Sequence, residues 1–234
     1  MKKELYRQTN RIVNDAFDRL AVEIHLKKQQ NGFKTFLLCG CEPGAGTTTI
    51  SIDLAISMAE AGWKTLMVDC DLRKDAGYKR LNSKTEDGLS EYLSGEIEKK
   101  KVVCETNYEN LYYVSGGKGC DRQVNRLCSA KMMDFIAWAK DTYDYIIFDA
   151  PSLGSAVDAD ILAAQMDGII LIASQYSSST KSIAQVQQSL ERAQANILGI
   201  VVNKVDKKEY KKHINHYDYF VKNKFLSAKK GKEK

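Results

Sequence analysis

Residues 36–49 read FLLCGCEPGAGTTT, where a short apolar run passes into a glycine-rich turn and then into a stretch with helical patterning. A strand, a glycine-rich turn and a helix in this order point successive backbone N–H groups inward, and the helix N-terminus adds a partial positive charge. The segment therefore predicts a phosphate-binding loop, and the alternative is a turn that only starts a helix. The Thr48 hydroxyl falls where a P-loop places its Mg²⁺ ligand.

The loop lacks the lysine of a standard P-loop. That pattern requires Gly-Lys-Ser/Thr, and this sequence has Gly46-Thr47-Thr48. Losing one charge-assisted contact costs about 1.5–3 kcal/mol, which corresponds to about 10–150-fold in affinity. The backbone cradle and Mg²⁺ remain, so we expect nucleotide binding to survive. Turnover should be weak or partner-dependent, because that lysine neutralises charge on the β- and γ-phosphates.

Apolar runs alternate with amphipathic stretches along most of the chain. This alternation predicts a doubly wound α/β fold, a mainly parallel sheet flanked by helices as in P-loop NTPases. The predicted strands are 36–39, 65–68, 111–114, 145–148, 168–173 and 198–202. The predicted helices are 10–28, 48–61, 88–93, 130–140 and 182–195.

Acidic residues follow two of the predicted strands. Asp69 and Asp71 come just after one strand, and Asp149 ends another. Open α/β sheets bind ligands at this edge, and such carboxylates suit Mg²⁺ ligation and proton acceptance. Two solvated loop acids are the alternative for the first pair. Asp158 follows at a helix start, where a cap is expected, and Asn203 ends the last strand with an amide that could read a base edge.

The chain has 234 residues and a formal net charge of +5, which is unevenly distributed. Residues 204–234 hold eleven lysines against four acidic residues, whereas residues 1–203 hold 24 basic and 26 acidic residues. We therefore predict a nucleotide-binding domain over 1–206 and a basic tail over 207–234. The slightly acidic body argues against a nucleic-acid partner.

The cellular location is predicted from what the sequence lacks. No apolar run reaches the ~18 residues that a membrane span needs, and no signal-peptide stretch opens the chain. Six cysteines without a CxxC pair indicate reduced thiols. We expect a cytoplasmic protein, at the inner face of the cell membrane if a partner holds it there.

Together these motifs resemble the bacterial tyrosine kinases of capsule and exopolysaccharide synthesis, within the MinD/ParA-type P-loop ATPases. The family's phosphate loop is matched except at Thr47, and its apolar-Asp-x-Asp-x-Arg motif is matched in full through Arg73. Residues 88–96 and 144–151 resemble two further family motifs. The resemblance implies that ATP or ADP is held by Pro43, Gly44, Ala45, Gly46, Thr47, Thr48 and Thr49, with Arg73 and Asn203 as further cofactor-binding candidates.

The resemblance also implies roles for the acids. Mg²⁺ would be held by Thr48, Asp69 and Asp149, and Asp69 or Asp71 would be the base toward a tyrosine hydroxyl. Asp69, Asp71 and Asp149 are thus the catalytic candidates. Arg73 is a candidate for part of the missing positive charge.

Two further family features are altered. Family members carry arginines on the first helix that support ring assembly, where this sequence has Asp18 and Ala21. Family tails carry a tyrosine cluster phosphorylated by neighbouring subunits, whereas this tail offers Tyr210, Tyr217 and Tyr219. With the missing lysine, three parts of the kinase cycle are weakened together.

The basic tail has three interpretations: a solvated end, a carrier of phosphoacceptor tyrosines, or a basic amphipathic helix on an anionic membrane surface. For the third, Tyr210, Ile214, Tyr217 and Val221 follow helical spacing among lysines.

The implied function is an ATP-binding tyrosine-kinase-like protein with weakened or partner-dependent phosphotransfer. By resemblance its partner is the cytosolic tail of a membrane polysaccharide chain-length protein, and it could form a homo-oligomer. The alternatives are a nucleotide-gated adaptor without transfer activity and a MinD/ParA-like positioning ATPase. The latter is disfavoured because its signature lysine early in the loop is absent too.

Overall fold

The computed structural model describes residues 3–7, 10–73, 87–153 and 158–213. Its strands are β1 (Thr35–Gly40), β2 (Thr65–Asp69), β3 (Val103–Glu105), β4 (Leu111–Val114), β5 (Tyr145–Ala150), β6 (Gly168–Ser174) and β7 (Ile197–Asn203). Within the described ranges they form one sheet in the order β3-β4-β2-β5-β1-β6-β7. All neighbours are parallel except β3 and β4. The predicted doubly wound, mainly parallel fold is confirmed.

Helices cover both faces of the sheet. They are α1 (Arg11–Asn31), α2 (Thr47–Glu60), α3 (Leu89–Ser94), α4 (Gln123–Leu127), α5 (Ala130–Thr142), α6 (Asp158–Ala163), α7 (Thr180–Arg192) and α8 (Lys207–His213). One apolar cluster joins α1 and α2 to one face of the sheet, and a second joins α3 to α7 to the other. None of the helices in the described ranges combines the length and apolar character needed to cross a membrane.

The central strand β1 decides where the site forms. Every residue of β1 is buried, as expected of a parallel strand covered on both faces. β1 lies between β5 and β6, and β5 also pairs with β2. The carboxyl ends of β1, β2 and β5 therefore meet at one edge of the sheet, where open α/β folds bind ligands.

The predicted elements lie within a few residues of those observed, and the structure adds some that the sequence pattern did not indicate. The additions are β3, α4 and a short 3₁₀ helix at Lys99–Lys101, whereas α6 begins at Asp158, where the sequence indicates a helix start. α8 occupies the first part of the segment predicted as a separate tail, and residues 214–234 lie outside the described residues. The domain boundary at residue 206 stays a prediction.

Candidate nucleotide site

A cleft of about 240 Å³ opens at the carboxyl edge of the sheet. It is lined by the phosphate loop, by Asp71 after β2 and by residues 149–152 at the end of β5. Of the predicted site residues, Pro43, Gly44, Gly46, Thr47, Thr48, Thr49, Asp71 and Asp149 line the cleft. Loop and carboxylates, which are distant in sequence, thus share one cavity.

The loop is shaped by glycines with positive φ. Gly44 has φ 77° and Gly46 has φ 97°, values that residues with a Cβ rarely adopt. Gly46 is the N-cap of α2, which begins at Thr47. The first turn of α2 therefore opens onto the cleft, so that its unpaired N–H groups and the helix dipole favour an anion there.

The carboxylates divide into an inner and an outer group. Asp69 and Asp149 are register partners in the parallel β2–β5 pair, and each is only 1% exposed. Asp69 Oδ1 accepts a hydrogen bond from the Asp71 backbone N–H at 3.0 Å, and Asp149 Oδ1 accepts one from Ser51 Oγ at 3.2 Å. Asp69 is not among the residues that line the cleft, whereas Asp71 is, at 7% exposed. Of the two acids in the Asp-x-Asp-x-Arg motif, Asp71 is therefore the one that lines the cleft.

Tyr113 of β4 lies near Asp69 and Asp149. Burial raises the pKa of its hydroxyl well above the ordinary value, and the charges of Asp69 and Asp149 raise it further. The phenol therefore stays protonated beside Asp69. Tyr113 was not singled out by the sequence, because a tyrosine on a short apolar strand reads as core.

Arg73 is not among the residues that line the cleft, and its guanidinium forms an ion pair. Its Nε donates to Asp158 Oδ2 at 2.7 Å and its Nη2 to Asp158 Oδ1 at 2.9 Å, a two-bond contact with a carboxylate that is 0% exposed. The sequence had suggested a helix cap for Asp158, which is the first residue of α6. The structure gives it a partner 85 residues away in the Asp-x-Asp-x-Arg motif.

Asn203 and Lys204 contact the loop and are not among the residues that line the cleft. The Asn203 amide donates to the Ala45 carbonyl at 2.8 Å, and Lys204 Nζ donates to the Gly44 carbonyl at 2.7 Å. Both residues also line an apolar groove of about 550 Å³ between α1, the end of β7 and Tyr210 of α8. Sequence reasoning named Asn203 and missed Lys204, because only the folded chain shows where its side chain reaches.

Glu42 is a second residue that the sequence did not single out. It lines the cleft, and its Oε1 accepts hydrogen bonds from Ser182 Oγ at 2.8 Å and from the Ser179 N–H at 3.3 Å. These contacts join the phosphate loop to the N-terminus of α7. Beside this acid, burial is the main factor that raises the pKa of the Cys41 thiol, and the charge of Glu42 adds to it.

The donor set fits Mg²⁺ held together with a polyphosphate. Among the described residues that line the cleft, Glu42, Asp71 and Asp149 are acidic and none is Lys or Arg. In the part of the chain that the structure describes, no cluster of three or more His, Cys, Asp or Glu side chains could hold a metal by itself. Mg²⁺ is normally bound by one or two carboxylates plus phosphate oxygens and water, so this sparse set suits it.

Comparison with known proteins agrees with this geometry. The family model described as an AAA domain matches residues 38–216. The tyrosine-protein kinase CpsD of Streptococcus pneumoniae serotype 4 is 33% identical over 191 residues, covering 81% of this chain and 83% of that protein. The chain belongs to the bacterial tyrosine-kinase family.

Other proteins similar to this chain are longer or less similar in sequence. The tyrosine-protein kinase etk of Escherichia coli K12 is 28% identical over 83% of this chain, which spans only 27% of that protein. The solved kinase domain of E. coli ETK superposes with a TM-score of 0.76 at 26% identity, covering 83% of this chain and 78% of that one. The septum site-determining protein MinD of Pyrococcus horikoshii, solved with Mg-ADP, has a TM-score of 0.60 at 23% identity, covers 75% of this chain and 73% of that one, and shares the fold.

Proposed function

We propose that this tyrosine-kinase family member binds Mg²⁺-ATP or Mg²⁺-ADP in the cleft and acts in capsule or exopolysaccharide synthesis, with weakened or partner-dependent phosphotransfer to tyrosine. The observation that carries the proposal is the shared cavity of the phosphate loop, Thr48, Asp71 and Asp149, in which no described lining residue is Lys or Arg. The cradle for phosphates is present, whereas the cation that usually completes it is not.

Binding would rest on the loop and the metal. Backbone groups of residues 43–49 would hold the phosphates, with N–H donors from Gly44 and residues 46–49, since Pro43 has no N–H and the Ala45 N–H donates to the Glu42 carbonyl. Thr48, Asp149 and Asp69 would hold Mg²⁺ directly or through water. The bound metal would neutralise phosphate charge next to three acidic side chains. Because Asp69 is buried behind the cleft, Asp149 and Thr48 are the more direct candidates.

The transfer step needs a base at the mouth of the cleft. A tyrosine hydroxyl oxygen would bond to the γ-phosphorus, the bond from that phosphorus to the β–γ bridging oxygen would break, and ADP would leave. The phenolic proton would pass to the Asp71 carboxylate, which lines the cleft, while Asp69 fixes the Asp71 backbone. The charge developing on the leaving oxygens lacks a lysine, so the barrier stays high.

The acceptors we propose are the tail tyrosines. Tyr210 is half-buried and lines the apolar groove, and Tyr217 and Tyr219 lie outside the described residues. The partner that we propose is the cytosolic tail of a membrane polysaccharide chain-length protein, with homo-oligomer formation and contact of the basic tail with the membrane as further proposals. Liposome sedimentation with and without residues 207–234 tests the membrane contact.

A nucleotide-gated adaptor is the second candidate, and the absence of Lys and Arg from the described lining of the cleft favours it. Restoring the lysine separates the two. We expect Thr47→Lys to increase ATP turnover by about 10–150-fold, the reverse of the cost of one charge-assisted contact. The neutral variant Thr47→Met is the control for side-chain size.

Phosphotyrosine is measured by mass spectrometry on the full chain with Mg²⁺-ATP, with and without a peptide of the partner's tail. Slow phosphorylation of Tyr210, Tyr217 or Tyr219 by the wild type supports the weakened kinase. Phosphorylation by Thr47→Lys alone supports the adaptor. Turnover by isolated wild type at an ordinary kinase rate, about 1–100 s⁻¹, contradicts the proposal.

A further inference from the structure

The side chains of two consecutive residues donate hydrogen bonds to two consecutive carbonyl groups of the phosphate loop. Asn203 Nδ2 lies 2.8 Å from the Ala45 oxygen, and Lys204 Nζ lies 2.7 Å from the Gly44 oxygen. We call this pair of contacts the loop clamp. Neither Asn203 nor Lys204 is among the residues that line the cleft, so the clamp contacts the loop outside the cleft.

Local hydrogen bonds and a left-handed residue at the end of β7 orient these side chains. Asn203 Oδ1 accepts a hydrogen bond from the Lys204 N–H at 2.8 Å, and the Asn203 carbonyl accepts one from the Gln175 N–H at 3.0 Å. Lys204 has φ 57°, a left-handed conformation that costs free energy in a residue with a Cβ. This turn is what carries Lys204 back over the loop.

The loop is shaped to receive the clamp. A Cβ on Gly46 would lie 2.2 Å from Asn203 Nδ2, so only glycine allows the amide to approach this closely. The Asn203 amide thus has protein partners at both its oxygen and its nitrogen. The reading of a base edge by Asn203 stays a prediction, and it would have to share these contacts.

Fixing the carbonyl of a peptide group also fixes the direction of the N–H in the same group. In a planar trans peptide the C=O and the next N–H point in opposite directions. With the Ala45 carbonyl fixed by Asn203, the Gly46 N–H is turned toward the cleft, where a phosphate oxygen would accept it. Lys204 also places a positive charge next to the phosphate loop. The described residues that line the cleft include acidic side chains and no Lys or Arg.

We propose that Asn203 and Lys204 are positioning residues that hold the phosphate loop in its anion-binding shape. Lys204 thereby orders the loop from outside it and replaces part of the ordering that a lysine within the loop would provide. This rests on the proposed nucleotide binding. It assigns Lys204 a role that does not require contact with the nucleotide.

The test combines a measurement without nucleotide and one with it. Amide hydrogen exchange of residues 41–50 is followed in the full-length protein without nucleotide, and Mg²⁺-ADP affinity is measured by calorimetry. Lys204→Met removes the donor, Lys204→Arg retains a cationic donor, and Lys208→Met is a control with the same charge change at an exposed position of α8.

We expect Lys204→Met to speed exchange over residues 41–50 and to weaken Mg²⁺-ADP binding, each by about 2–10-fold, as for one hydrogen bond at a partly exposed site. Lys204→Arg should recover most of both effects, and Lys208→Met should change neither. Asn203→Asp, which turns an acceptor toward the Ala45 carbonyl, should speed exchange at least as much as Lys204→Met.

Unchanged exchange in Lys204→Met overturns the clamp, and faster exchange with unchanged Mg²⁺-ADP affinity overturns its positioning role. If the wild type does not bind Mg²⁺-ADP but Lys204→Met still exchanges faster, the proposed function fails while the clamp itself is supported.

Discussion

At the scale of single residues, the Arg73–Asp158 pair joins the segment that follows β2 to the start of α6. Asp158 is completely buried, whereas the Arg73 side chain is 42% exposed. The Asp71 Oδ1 accepts a hydrogen bond from the Arg73 N–H at 3.4 Å, so the same segment carries the proposed base. The pair therefore couples the position of Asp71 to the start of α6.

Removing the arginine should destabilise the protein. Arg73→Met leaves a buried carboxylate without its two charge-assisted bonds, and we expect a loss of about 1.5–3 kcal/mol in the free energy of unfolding. Arg73→Lys should recover only part, because an ammonium cannot match the two-bond geometry. Urea denaturation measures both, with the exposed Arg122→Met as control. Equal stability of Arg73→Met and Arg122→Met would show that the pair contributes nothing.

It is easier to predict from the sequence which residues form the site than which residues they contact. Spacing placed Asp71 and Asp149 at strand ends, and both line the cleft. The partners of Asp158 and Lys204 lie 85 and 160 residues away, and no local pattern indicates contacts over such separations. Tyr113 looks like a core residue because its neighbours on β4 are apolar, and only the fold brings it to Asp69.

At the scale of elements, most segments with a clear hydrophobic pattern were predicted, and the short β3, α4 and 3₁₀ helix were missed. Apolar runs such as β1 and β6 have every residue buried, so composition alone identifies them. β3 has three residues, none of them buried, and pairs antiparallel at the sheet edge, so it has no apolar run to detect. α4 has five residues, too few for helical periodicity to appear.

The start of β1 depends on one carboxylate, which predicts a pH effect. Asp167 accepts hydrogen bonds from the Lys34 and Thr35 N–H groups at 2.8 and 2.9 Å and from Lys140 Nζ at 2.7 Å. Burial by itself would raise the pKa of Asp167, but these hydrogen bonds outweigh it and lower the pKa below its ordinary value. The stabilisation is therefore complete above the unfolded pKa of about 3.9 and is lost as pH falls through the lower folded value.

We expect Asp167→Asn to lose about 1–2 kcal/mol in the free energy of unfolding at pH 7. The difference from wild type should shrink as the pH is lowered toward 3, because the wild-type carboxylate then becomes protonated as well. Chemical denaturation across this pH range measures it, with Asp141→Asn at an exposed position of α5 as control. A difference that stays constant with pH would exclude the charge as its origin.

At the scale of the whole molecule, acidic and basic charge are separated along the chain. Residues 1–203 carry a small excess of acid, and residues 204–234 carry eleven lysines. The boundary falls at the end of β7, where Lys204 contacts the phosphate loop. The first lysine of residues 204–234, which precedes the tail over 207–234, thus contacts a loop whose cleft has acidic side chains in its described lining. Composition alone could not predict this contact.

The central claim is that the site binds nucleotide without a loop lysine, and isothermal titration of the full-length protein with Mg²⁺-ADP tests it most directly. We expect saturable binding by the wild type that requires Mg²⁺, because three acidic side chains face the phosphates. Thr47→Lys should bind about 10–150-fold more tightly. No binding by the wild type at millimolar Mg²⁺-ADP, together with clear binding by Thr47→Lys, would contradict the account.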